Sequence, residues 1–200
     1  MKLYYSPGAC SLSPHIALRE AGLNFDLVKV DLASKETSDG GDYRKVNPKG
    51  YVPALTLDDG KTLTEGPAIV QWIADQRPSM GLAPANVTYE RYKLQEWLNF
   101  ITSEMHKSLG SLFNKALPEE AKKITKDRIT TRLQWLEEQL KTDYLTGSRF
   151  TVADGYLFVV LGWAKYLDID LKPYPKIQAY LGRVAARPKV KEAMEAEGLS

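Results

Sequence analysis

Near residue 80 the hydrophobic pattern of this chain changes period, and that break demands two folding units of different kinds. Upstream, short β-like runs alternate with short helical ones. Residues 3–5 and 25–32 read as strands, and runs 52–57 and 61–64 flank Asp58-Asp59-Gly60, a hairpin turn signature. Helices fit 11–21, stopped by Gly22, and 67–76, with Pro67 in the first turn. Strand, helix, strand, hairpin and helix make a βαβ unit followed by ββα, a layered α/β arrangement. Residues 77–84 read as a linker. Beyond it the period is helical: Leu94, Trp97, Leu98, Ile101, Met105, Leu109 and Leu112 recur at steps of three and four along one long helix. A second helix over 119–141 turns Ile124, Ile129, Leu133, Leu136 and Leu140 inward. A third, more apolar one runs over 151–166, and shorter ones follow Pro175 and Pro188.

Charge and cysteine usage exclude several functions. The chain carries 27 basic and 25 acidic side chains, a formal charge of +2 with no single-sign patch, so an electrostatic basis for nucleic-acid binding is absent. No apolar run approaches the roughly 18 residues of a membrane span. The first seven residues lack the apolar core of a secretion signal. One cysteine, Cys10, excludes an internal disulfide, a C-x-x-C pair and a Cys-rich zinc site, and two histidines leave little for a metal. A cytoplasmic protein without metal is the expectation.

Three segments can carry chemistry. Cys10 lies in Ser6-Pro7-Gly8-Ala9-Cys10-Ser11, between a strand and a helix start, where the dipole and orphan N–H groups favour thiolate; a lone cysteine also reads as a small buried hydrophobe. In Asn47-Pro48-Lys49-Gly50-Tyr51-Val52-Pro53-Ala54-Leu55 a proline enters a strand, marking an edge or a special peptide geometry. A cis Val52–Pro53 bond would turn the Val52 N–H and C=O outward for a peptide-like ligand; a trans edge proline is the commoner case. Leu63-Thr64-Glu65-Gly66-Pro67 sets a carboxylate and a glycine at a helix start, where free N–H groups suit a ligand carboxylate and Glu65 suits an ammonium. His15 reads as a packed, satisfied side chain, and Tyr4 and Tyr5 as strand aromatics of the core.

In this order and spacing the three segments resemble the thioredoxin-like domain of glutathione S-transferases, and residues 84–200 look like their all-helical second domain. Cys10 in the first loop is similar to the nucleophile-loop cysteine of the bacterial beta class. The resemblance implies a glutathione-binding domain over 1–80, and a helical domain over 84–200 that supplies the electrophile site and dimer contacts. It implies that Cys10 sits beside the glutathione sulfur and forms a mixed disulfide with it, that Pro53 is cis, and that the Val52 backbone pairs with the tripeptide. Glu65 and Gly66 would hold the γ-glutamyl end and Lys35 the glycine carboxylate. Asn99, Ser103, Glu104, Met105 and His106 would complete the site, some from a partner subunit, with Cys10 and His106 in catalytic roles. Thr151-Val152-Ala153-Asp154 matches the family's capping box. Two departures stand out: many relatives carry Ser where this chain has Gly66, and the hydrophobic staple that would pair Phe150 with position 155 meets Gly155, which has no side chain.

At about 100° per residue, Asn99, Ser103 and His106 share one polar stripe, facing away from Leu94, Leu98, Ile101 and Met105. That stripe reads as a solvated face or, on the resemblance, as the border of a cleft or a subunit interface. The implied reaction is attack of glutathione thiolate on an apolar electrophile in a cytoplasmic, detoxifying homodimer, with glutathione as co-substrate and no other cofactor. Two alternatives stay open: thiol–disulfide exchange or peroxidase chemistry through Cys10 in its C-x-x-S setting (Cys10-Ser11-Leu12-Ser13), and a non-enzymatic ligand carrier of the same fold.

Overall fold

The structure, a computed structural model, describes residues 1–199. Two compact units appear: residues 1–83 together with the chain from Arg187 onward, and residues 84–186. The division expected from the sequence placed everything after residue 84 in the second unit. The last helix instead belongs to the first, for reasons of packing given below.

In the first unit, strands β1 (Lys2–Tyr5), β2 (Asp26–Lys29), β3 (Ala54–Thr56) and β4 (Thr62–Thr64) form one sheet in the order β2-β1-β3-β4. β1 and β2 run parallel through α1 (Leu12–Ala21), whereas β3 is antiparallel to β1 and β4 to β3. The strand read at 25–32 is cut to four residues because its one neighbour, β1, offers four: Lys2 pairs with Asp26 and Tyr5 with Lys29. β3 starts after Pro53, which has no N–H for the ladder. Tyr4, Val28, Val30, Tyr43, Val52 and Ala54 form a core on one sheet face. Gly22, left-handed at φ 63°, closes α1, and α2 (Gly66–Gln76) packs against α1 and β3.

The second unit is helical. Thr88 caps α3 (Tyr89–Phe100), its hydroxyl accepting from the Arg91 N–H at 3.2 Å. The helix then widens into one π-helical segment, Ile101–His106, and resumes as α4 (Lys107–Ser111). Leu94, Leu98, Ile101, Met105 and Leu109 are buried as expected, and Leu112 only half so. Along α5 (Glu119–Gln139), Ile129, Leu133 and Leu136 are buried, while Ile124 is 60% exposed. Ile124 precedes Ile129 by five residues, about 140° around the helix, so it falls off the stripe that the other three share. The third helix stops sooner than read: α6 (Val152–Leu161) tightens into a 3₁₀ turn over Gly162–Tyr166. α7 (Pro175–Ala185) starts on its proline, as does α8 (Pro188–Ala196) in the first unit. Among the described residues no helix is long and apolar enough to cross a membrane, and no three His, Cys, Asp or Glu side chains gather as a metal site.

Candidate active site

The loop from Ser6 to Ser11 is tied at both ends before Cys10 is considered. The fully buried Ser11 hydroxyl accepts from the Ser6 N–H at 3.1 Å and donates to the Ser6 C=O at 3.2 Å. Gly8, at φ 70°, donates its N–H to Glu197 Oε2 at 3.0 Å. Cys10 follows, half-buried, two residues before α1 begins, and its thiol donates to the Val52 C=O at 3.3 Å. The peptide bond between Val52 and Pro53 is cis. Among the described residues the Val52 N–H has no hydrogen-bond partner, a costly state for a buried donor and one that an extended peptide ligand would relieve.

The loop leading to Val52 is rigid for identifiable reasons. The Tyr51 C=O accepts from Tyr43 Oη at 3.0 Å and from Asn47 Nδ2 at 2.7 Å, and both donors are buried. Burial pushes the Tyr43 phenol up to about 12, so it remains a donor throughout the neutral range. Lys35, at φ 67°, is held by its N–H to the Asp31 C=O and its C=O to the Tyr43 N–H. Its stem lies alongside Gly50, where an added Cβ would come within 3.6 Å of Lys35 Cε.

Glu65 sits at the entry of α2 with φ 69° and ψ 114°, a left-handed conformation rare outside glycine. Its carboxylate is paired with Lys49 and accepts from Tyr51 Oη at 3.2 Å. The hydrogen bond that the Lys49 ammonium donates to Glu65 raises its pKa above the ordinary range. The Glu65 C=O accepts from Ala68 and Ile69 N–H and Pro67 has none, so among the described residues the Gly66 N–H is the spare donor of this helix start. A Cβ on Gly66 would meet nothing within 4 Å, so glycine is not sterically required there. Lys49 and Tyr51, not among the residues expected from the sequence, meet the Glu65 carboxylate. They stand in the motif around Val52-Pro53, and only the hairpin register carries them to Glu65.

In the second unit the segment 99–106 does not present one face. Asn99 and Ser103 are exposed and bonded along the helix, Asn99 Nδ2 to the Gln95 C=O and Ser103 Oγ to the Asn99 C=O, both at 2.9 Å. Glu104 pairs with Arg132 Nε at 2.7 Å. Met105 is fully buried and belongs to the helical core. His106, expected on the Asn99–Ser103 stripe, is half-buried instead, with Nδ1 at 2.5 Å from Tyr156 Oη and the Trp163 ring 5.0 Å away. The physical reason is the π segment: an i→i+5 turn advances each residue by less than an α-turn does, so an extrapolation at about 100° overshoots. His15 is fully buried between Glu197 and Arg19, a satisfied core histidine. Tyr4 is buried and Tyr5 half so.

Residues 8–76 match the family described as "Glutathione S-transferase, N-terminal domain", and residues 103–197 match "Glutathione S-transferase, C-terminal domain". Glutathione S-transferase GstA of Escherichia coli O157:H7 is 50% identical over 201 residues, covering all of both chains. Among solved structures, "Ternary complex of BphK, a bacterial GST" superposes with a TM-score of 0.98 at 63% identity, again over all of both chains. A beta-class enzyme of Sphingomonas chungbukensis superposes at 0.97 with 52% identity and the same full coverage. With its cysteine loop, its cis-proline loop and its helical second unit, this chain belongs to the glutathione S-transferase family, alongside the bacterial beta-class enzymes.

Proposed function

We infer that this protein is a glutathione transferase that joins the sulfur of glutathione to an electrophilic carbon of an apolar compound. The observation that carries the reading is the convergence of Cys10 and the Val52 backbone at the start of α1. Tripeptide and loop are suited to each other: an unpaired Val52 N–H, the carboxylate of Glu65 for an ammonium, the Gly66 N–H for a carboxylate, and the Lys35 ammonium for the opposite end. Lys49 and Tyr51, already on Glu65, hold its carboxylate in place for the γ-glutamyl group. By resemblance Asn99, Ser103, Glu104, Met105 and His106 join the glutathione contacts. Of these, His106, with a polar partner and an aromatic wall, has surroundings that suit a chemical role.

In the reaction a thiolate attacks carbon, a C–S bond forms, and the leaving group departs with its electron pair. A free thiol of pKa about 8.5 is only a few per cent thiolate at pH 7. Lowering it by about two units takes roughly 2.7 kcal/mol of differential stabilisation and raises the thiolate fraction at most about thirtyfold, while making the sulfur less nucleophilic. Proximity of the two bound reactants therefore supplies the larger part of the rate. A homodimer and a reducing cytoplasm, where glutathione is abundant, complete the proposal. The test is glutathione consumption with a dinitrophenyl halide near neutral pH: saturable conjugation above the uncatalysed rate is expected, and its absence overturns the reading.

Thiol–disulfide exchange through Cys10 is the second reading, favoured by retention of the thiol at the glutathione end of the fold. Ser13, the last position of C-x-x-S, is buried and is no thiol, so on this reading a second glutathione resolves the mixed disulfide.

A further inference from the structure

This chain has two histidines, and their partners dictate opposite positions for the ring proton. Nε2 of the buried His15 lies 2.8 Å from Arg19 Nε, a group that only donates. That nitrogen therefore accepts, and the proton sits on Nδ1, 2.8 Å from Glu197 Oε1. His106 faces different chemistry. Its Nδ1 is 2.5 Å from the hydroxyl of Tyr156, a side chain on α6 that is only 3% exposed. The nearby Thr102 hydroxyl gives its hydrogen to the Leu98 C=O at 2.8 Å and stands 3.5 Å from Tyr156 Oη, so the phenol hydrogen has a far closer acceptor in the imidazole. A phenol is a stronger acid than a neutral imidazole N–H, and an imidazole nitrogen a stronger base than a phenol oxygen. The short contact is thus O–H···Nδ1.

We propose that Tyr156 is a positioning residue for His106: it keeps Nδ1 as an acceptor, places the single ring proton on Nε2, and so makes neutral His106 a hydrogen-bond donor rather than a general base. The ring plane is held as well, with Tyr156 edge-on at 5.7 Å between centroids and Trp163 at 5.0 Å. The π segment that ends at His106 sets the ring against α6. The functional half of the proposal rests on the assignment of His106 to the conjugation reaction made above. A donor at Nε2 serves the thiolate sulfur or the departing anion without transferring a proton.

The test uses the full chain with nitrogen-labelled imidazoles, His106→Gln identifying the His106 signals. Well above the ordinary histidine range, near about pH 8, long-range proton–nitrogen NMR is expected to find His15 protonated on Nδ1 and His106 on Nε2. In Tyr156→Phe the His106 nitrogens are expected to move from their native shifts while those of His15 stay, which also reports an intact fold. The kcat with a dinitrophenyl halide is expected to fall about fivefold, the loss of one ordinary hydrogen bond, with glutathione KM held within about twofold. A proton on His106 Nδ1 in the native protein, or His106 shifts unchanged in Tyr156→Phe, overturns the tautomer assignment. A shifted tautomer with unchanged kcat overturns the positioning role. If the native protein fails to conjugate yet carries the Nε2 proton, the proposed function falls and the tautomer assignment stands, so the two failures are distinguishable.

Discussion

On the function proposed above, Cys10 and the glutathione sulfur share one neighbourhood, where two anions would repel each other. In the structure the Cys10 thiol is engaged as a donor to the Val52 C=O, which suits orientation of a neighbouring sulfur rather than attack on an electrophile. Cys10→Ala is expected to keep conjugating while forming no mixed disulfide with oxidised glutathione, checked by intact mass; complete loss of conjugation would contradict this role. Glu65 is the second residue with a defined consequence. Glu65→Gln keeps the shape but removes the charge paired with Lys49, and a lost charge-assisted contact to an ammonium raises glutathione KM about tenfold or more, with kcat far less affected. Steady-state kinetics with glutathione as the varied substrate reads this directly. Cys10, Val52-Pro53 and Glu65 were legible as candidates because each stands in a contiguous motif with its own backbone logic. Lys49 and Tyr51 lie 16 and 14 residues from Glu65, and nothing local ties them to it.

α6 shows what a cap decides. Asp154 is fully buried and accepts from the N–H groups of Leu145 and Thr151 and from the Thr151 hydroxyl, each at 2.8 Å, and from Tyr180 Oη at 3.2 Å. Burial raises its carboxyl above the usual range even against these donors. Asp154→Ala strands several buried donors together and is expected to destabilise the protein by about 3 kcal/mol, measured as a shift in the urea midpoint. The capping box was readable from Thr151 and Asp154 alone. Phe150, which finds no staple partner at Gly155, packs edge-on against Tyr144 instead, with ring centroids 5.8 Å apart. The long helix was legible through its apolar repeat and misjudged in its polar face. Six residues of wider winding leave a buried stripe intact while turning the polar residues, and no residue in Ile-Thr-Ser-Glu-Met-His announces that widening.

Two features act on the molecule through distant pairs. α8 joins the first unit because Arg187 pairs with Glu20 at 2.7 Å and Glu197 reaches back to both His15 and the Gly8 N–H, while the helix packs along α1. Glu197→Ala leaves a buried ring N–H and a loop N–H without their acceptor, and is expected to cost about 3 kcal/mol and to speed amide exchange in the Cys10 loop. Alkali acts through phenols. Tyr43 ionises at about 12 in the fold and at about 10 when unfolded, and burial raises the fully buried Tyr180 in the same direction. The folded chain then holds more protons than the unfolded one in this window, so stability falls as pH rises from about 10 towards about 12, with Tyr43 contributing about 3 kcal/mol of that loss. Urea titrations at about pH 9 and about pH 11 are expected to show a shallower decline for Tyr43→Phe than for the native chain.

Periodicity, turn residues and caps depend on neighbours within a few positions, so the chain alone declared its α/β and all-helical parts, the starts of α1, α2, α5, α6, α7 and α8 to within a residue, and three candidate loops for chemistry. The joining of α8 to α1, the Lys49–Glu65 pair and the Tyr156 hydroxyl against His106 depend on groups 16 to more than 180 residues apart. Such contacts exist only once sheet register and helix packing have closed the intervening loops, and no local pattern records which of the many side chains of suitable chemistry will meet.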